Sequence, residues 1–419
     1  MKLFFSSGTM AAFSLVGSLL AGLHSPSVGA VVQEISAKFV PDPANPLVNK
    51  FVNTTPQSGV CPNHISSTCA RLGIFSLRVP GLQFRSTQPI PAGHTDPRQG
   101  ATFRVPSSWR PVDVVHSHTG EQETVEMRIA GIGGSWTVAR PPGVSAWTPP
   151  AGGYWRNPWI RPPAPCTGLN INIAGTAHAY FFWLIPEGAG ACGVVPTKDI
   201  PWFEHRLVEY VYELKTPNPL TMSSGEYRGS MTYSAGPGGD FDMGDVMLPN
   251  DSAITLNFTL DVQHSLKVDI PPGGNRIVLL PQGGWQAWLN QGRKPVRLFR
   301  DQTFNVSASS RFKMQLECQY VVGNNCAVRD TTSAHLVPLN TSVSLPNGLT
   351  DESGQPVNRR PLRIDGGGTE LFQPGFYVER KPGTLHFEIA REHVEQMLHE
   401  GVSKTFSGDV TVIWDSEVD

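Results

Sequence analysis

From 254 to 270 the chain reads ITLNFTLDVQHSLKVDI, with apolar residues at 254, 256, 258, 260, 262, 266, 268 and 270. His264 alone breaks the period of two. Successive side chains of an extended backbone point to opposite faces. This run is therefore one half-buried strand, or two separated by a bend near 263–265. RFKMQLECQY repeats the pattern with Phe312, Met314, Leu316, Cys318 and Tyr320, GTLHFEIA with Leu385, Phe387 and Ile389, and SGDVTVIWD with Val410, Val412 and Trp414. Between such runs, 42 glycines and 37 prolines punctuate the chain, and only 16% of residues are charged. Short strands joined by frequent turns predict an all-β protein built of two β-sandwich domains. One stretch, REHVEQMLHEG, has helical spacing, with Val394, Met397 and Leu398 three and four apart and Gly401 as the expected C-cap.

The first thirty residues stand outside this pattern. Lys2 precedes the apolar run AAFSLVGSLLAGL, and small residues at Val28 and Ala30 mark a cleavage site. Residues 1–30 read as a signal peptide. No later stretch approaches the roughly 18 apolar residues needed to span a bilayer. The mature chain is expected to be exported and soluble. Cys61, Cys69, Cys166, Cys192, Cys318 and Cys326 make an even set suited to an oxidising compartment. Of roughly 15 possible connectivities, the spacings favour neighbour pairs: Cys61–Cys69, Cys166–Cys192 and Cys318–Cys326.

Pro, Ser and Gly gather in KTPNPLTMSSGE, which predicts a linker at 215–226 between domains at 31–214 and 227–419. Eleven of the fourteen cations in 31–214 are arginine, and seven of the ten tryptophans lie there. Both residue types favour recognition surfaces.

Local motifs for chemistry are sparse. GAGACG at 188–193 matches a dinucleotide fingerprint, but VVPTKDIPW follows where a helix is required, so a tight turn is expected. His116 and His118 have a spacing that can hold a metal, but no third ligand is signalled. The sequons at Asn53, Asn257, Asn305 and Asn340 matter only in a eukaryotic secretory route. A carboxylate pair for glycoside hydrolysis leaves no local signature. The Pro-rich excursion at 136–161 is the candidate recognition segment, with Trp136, Arg140, Trp155, Arg156, Trp159 and Arg161 as its binding residues. Flat aromatics interleaved with cations suit a sugar, a protein partner or an anionic surface. The competing reading is a loop covering its own core, with tryptophan as packing.

The segment TFSGDVTVIWDSEVD, a Gly-containing turn leading into an alternating strand and a short polar end, resembles the C-termini of chaperone–usher pilus subunits. YRGSMTYSAGPGGDFDMGDV, the long alternating run, GWQAWLNQGRKP and FKMQLECQY extend the resemblance over 225–419 to the pilin domain of alpha-type, CblD-like pilus initiators and tip adhesins. The resemblance implies a receptor-binding N-terminal sandwich and a C-terminal immunoglobulin-like pilin domain lacking its last strand. Its groove would be lined by Val410, Val412 and Trp414 and filled by β-augmentation. The implied partners are a periplasmic pilus chaperone, an outer-membrane usher, the donor strand of an adjacent pilin subunit and a host-cell glycan or glycoprotein receptor. No enzyme activity, cofactor, metal or nucleic acid is expected, and the implied location is the fimbrium tip at the cell surface. Two other readings stay open: a secreted carbohydrate-active enzyme with a β-sandwich module, and a non-adhesive structural pilin cap.

Overall fold

The computed structural model describes residues 31–139, 145–147, 157–174, 177–398 and 404–416. The expected signal peptide and the Gly401 cap lie outside these residues. The protein is all-β, with short helices at the joints.

The largest sheet is organised by one strand, Gln122–Ala139. Its first half pairs with Arg110–His116, its second half with His178–Leu184, and Trp202–Lys215 runs along most of its other edge. A strand that changes neighbours midway must curl. The sequence provides for this with Gly131, Gly133 and Gly134, where an added Cβ would meet the backbone carbonyls of Trp183, Phe181 and Leu207. On the far side of Arg110–His116 the sheet continues through Gly225–Ser234, Ala253–Val262 and Val31–Phe39. The last two run parallel, paired from Val31↔Ile254 to Phe39↔Val262.

The segment LNINIAGTAHAYFFWLIP falls in two strands, Thr167–Ala174 and His178–Leu184, folded back on each other as an antiparallel pair. The run from 254 to 270 is also two strands, Ala253–Val262 and Leu266–Asp269, broken at 263–265 as the lapse in alternation implies.

That break is where the two large cores part. One core takes apolar residues from Ile35 to Val262, and the other begins with Leu266 and Leu298. The linker expected at 215–226 is therefore displaced. Lys215 ends a central strand, Leu220 is buried in a short turn of 3-10 helix, and Gly225–Ser234 is a full strand of the first sheet. The loop that follows is pinned to the same body. Asp242 is fully buried, and its carboxylate accepts from Arg98 at 2.9 Å and from the amides of Gly238 and Gly244 at 3.0 Å. Burial alone would raise its pKa, but these donors outweigh burial and hold it below the ordinary carboxylate value. Proline and serine at 215–226 mark a turn and an entry into a strand, which use the same residue types as linkers.

The second core lies between two sheets. One orders Leu266–Asp269, Leu298–Ala308, Val378–Ile389, Leu336–Ser344 and Asn325–Asp330. The other orders Leu349–Asp351, Phe372–Pro374, Phe312–Cys318 and Val410–Ser416. Phe312, Met314 and Leu316 point inward as their spacing requires. All three neighbour disulfides form. The helix covers Arg391–Met397 with Val394 buried.

Candidate functional site

The Val410–Ser416 strand enters its sheet by a crossing. Phe406 and Ser407 still pair with the opposite sheet, at Asp330 and Arg329. Gly408 follows, with an added Cβ only 2.8 Å from the carbonyl of Ala327. The chain then runs antiparallel to Phe312–Cys318, from Cys318↔Val410 to Phe312↔Ser416. Among the described residues this is its sole ladder partner, so its other backbone edge is open.

The side chains on that strand divide as the alternation predicts. Val410, Val412 and Trp414 pack against the core yet stay partly exposed, while on the other face Thr411 and Asp415 are exposed and Ile413 is half-buried. Asp415 pairs with Lys313 at 3.3 Å on the outer face. Across the sandwich, Leu266 and Val268 sit on the edge strand of the facing sheet and are likewise only half covered. The ring of Trp414 reaches across to Phe304, which is on the strand next to that edge. Two sheet edges thus share one uncovered apolar seam. Leu266 and Val268 were not singled out by the sequence reading, though they belong to the same alternating run.

The recognition residues expected in 136–161 separate. Trp136 lies on the central strand and is buried, and Trp159 is 0% exposed. With Trp147 they form an aromatic cluster, Trp159 standing 5.2 Å from Trp136, 5.1 Å from Trp147 and 5.4 Å from Trp183. Phe103, Phe181 and Phe203 complete it. Trp136 and Trp159 therefore present no ring face to a receptor, which corrects their assignment as binding residues. Their indoles fill the core because large flat rings bury much apolar area. Arg161 is exposed. Arg140, Trp155 and Arg156 lie outside the described residues.

Two of the histidines, His116 and His205, serve structure. His116 ends its strand, and its Nδ1 accepts from the amides of His118 and Thr119, closing the turn. His205 is packed among Phe103 and Phe203, and burial pushes its pKa down to about 3. Within GAGACG the chain turns only at its start, at 187–188, and Cys192–Gly193 is a short strand paired with Thr102–Phe103, with Cys192 bonded to Cys166 and no helix following. Among the described residues no group of three or more metal-ligating side chains gathers.

No family model and no curated protein matches this chain. Among solved structures it is similar to the adhesin of a chaperone–tip adhesin complex in CFA/I fimbriae biogenesis, at 8% identity over 93% of this chain and 97% of that one, with a TM-score of 0.25. It is similar to CfaE, the adhesive subunit of the CFA/I fimbria of enterotoxigenic Escherichia coli, at 9% identity over 92% and 98%, with a TM-score of 0.22. A third similarity is to the CsuC–CsuE chaperone–tip adhesion subunit pre-assembly complex of Acinetobacter baumannii Csu pili, at 11% identity over 92% and 98%, with a TM-score of 0.21. Similarities at TM-scores this low carry no argument about function, which rests on the open edge and its seam.

Proposed function

We propose that this protein is an exported fimbrial subunit of the chaperone–usher type, completed by a strand from another chain, with an attachment function in its first core. One observation carries the reading: among the described residues, the Val410–Ser416 strand has a single ladder partner, which leaves one backbone edge unpaired beside a partly bare apolar face. Unpaired N–H and C=O groups next to apolar side chains are unfavourable in water and template strand addition. A strand laid on that edge would pair the backbone and cover Val410, Val412 and Trp414 on one side and Leu266 and Val268 on the other. In assembly, a periplasmic chaperone lends the strand, an outer-membrane usher receives the complex, and the N-terminal segment of an adjacent pilin subunit replaces the loan. The first core, with its arginine-rich surface, then stands free to meet a host glycan or glycoprotein at the fibre tip. The work is mechanical attachment, without catalysis or a cofactor.

The test is to add an alternating apolar strand after Asp419 through a short linker. The extended chain is expected to be a soluble monomer with a steeply raised melting temperature. The same extension with charges at its inward positions is expected to give no gain. An unextended chain that is already a stable monomer, with the edge of Val410–Ser416 protected from hydrogen exchange, contradicts the proposal.

A further inference from the structure

We infer that a cavity on the outer face of the first sheet binds an acidic saccharide, with Arg206 and Arg78 holding its anionic group. The inference rests on the attachment role proposed above and names the ligand class and the residues for it.

The cavity has a volume of about 470 Å³ and is lined by His64, Arg78, Ser135, His178, Tyr180 and Arg206 among others. Its floor follows from strand alternation. Trp136 pairs with Ala179, and both point into the core, so Ser135 and Tyr180, which also pair, face outward. Part of this outer face is covered by the two short helices Val60–Asn63 and Ser66–Leu72, tied by Cys61–Cys69. Beneath them Val60, Ile74, Phe182 and Val211 form a small separate core. His64, in the joint between the helices, marks the rim, with its ring 5.1 Å from that of Tyr180.

Arg206 is aimed into the cavity by an irregularity in the ladder. His205 pairs with Trp136 and Leu207 with Ser135, which leaves Arg206 as an extra residue, a β-bulge. Bulges re-aim side chains and gather next to functional sites. Its side chain is 62% exposed, and its ion pair is a 3.4 Å contact from Nε to Glu204. Glu204 is largely covered, at 16% exposed, and its one long contact is to Nε, so the outward side of the Arg206 guanidinium faces solvent, where an incoming carboxylate or sulfate can meet it.

Arg78 is held more firmly. Its Nε and Nη2 donate to Oε1 of Glu209 at 3.2 and 3.1 Å, and the Tyr180 hydroxyl donates to Oε2 at 2.9 Å. Glu209 is fully buried, while the Arg78 side chain stays 45% exposed. The helical cover closes onto this network at Gly59, where a Cβ would lie 2.3 Å from Oε2 of Glu209. The exposed charge at the cavity is therefore cationic, its carboxylate partner lying underneath. Around it stand an aromatic pair and the hydroxyls of Ser135 and Thr137. Rings that take C–H faces, small donors that take hydroxyls and a guanidinium that takes an acid together match a charged sugar.

The test measures binding of sialyllactose, a heparin hexasaccharide and neutral lactose to the full chain, with and without the completing strand. Either acidic probe is expected to bind, lactose much more weakly, and added salt to weaken the acidic probes. Arg206→Glu is expected to lower affinity for the acidic probe by about tenfold or more, and Arg300→Glu, on the second core, to change nothing. Thr137→Glu places a carboxylate in the cavity and gives the same loss should Arg206→Glu fold poorly. The inference is overturned if no acidic probe binds, if lactose binds as well, or if both cavity variants fold and bind undiminished. A completing strand that fails to stabilise the chain removes the fimbrial reading and leaves this result standing. Loss of the cavity with a working strand removes only the cavity.

Discussion

The ring of Trp414 stands 4.9 Å from that of Phe304, edge to face, although the two residues belong to different sheets. Phe312, on the strand paired with Trp414, lies 5.7 Å away on the other side. This contact bridges the second sandwich at the margin where its seam is uncovered. Trp414→Ala is expected to cost about 2–4 kcal/mol, below the cost of a fully buried tryptophan because one part of the ring is bare. Denaturant unfolding of the strand-completed protein measures it. The uncompleted chain should lose less, since there the ring is less covered.

His205 sets a second expectation. It sits 4.7 Å from Phe203 and 5.0 Å from Phe103, and its Nε2 has no hydrogen-bond partner among the described residues. Burial pushes its pKa down to about 3, whereas an unfolded histidine titrates near 6.5. Between these values the unfolded chain binds a proton that the folded chain refuses. Stability should therefore fall as pH drops from about 6.5 toward 3, and stay flat in this respect above 6.5. His205→Leu should flatten that slope. Chemical denaturation at a series of pH values reads the difference, and an unchanged slope in the variant would show that other groups carry it.

What could be read from the sequence follows from the range of each signal. The strands with clean alternation, Ala253–Val262, Phe312–Cys318 and Val410–Ser416, fell where their apolar spacing put them, because period two is a local consequence of the pleat. The break at His264 was visible too, but its meaning was not. Which core a strand joins depends on long-range pairing, such as the parallel match of Val31–Phe39 to Ala253–Val262. For the same reason Trp136 and Trp159 read as a surface: tryptophan suits a binding face and a core equally, and only the neighbours Trp183, Phe103 and Phe203 decide. Arg206 gave no sequence signal, since a bulge exists only in the register between two strands.

The expectation for the excursion at 136–161 can still be tested through its arginines. Arg161 is exposed, and Arg140 and Arg156 share its segment. Alanine at all three should weaken cell attachment and leave the melting temperature nearly unchanged. If attachment persists while Arg206→Glu abolishes it, recognition belongs to the cavity.

The division of the cores yields a prediction about where the chain can be cut. A fragment of residues 31–262 keeps Gly225–Ser234 and Ala253–Val262, which supply Tyr227, Tyr233, Ile254, Leu256, Phe258 and Leu260 to the first core. It should fold alone and give one cooperative transition. A fragment ending at 226 loses both strands and the Arg98–Asp242 anchor. It also leaves Val31–Phe39 without its parallel partner. Several fully buried aromatic and aliphatic side chains are removed together, each worth about 1.5–3 kcal/mol of burial, which exceeds the stability of an ordinary domain. That fragment should be unfolded by circular dichroism and hydrogen exchange. In the full chain, a completing strand should raise only the transition of the second core, because the seam it fills belongs to Leu266, Val268, Val410, Val412 and Trp414. A folded 31–226 fragment would restore the boundary at 215–226. A completing strand that shifted both transitions equally would mean that the two cores unfold as one.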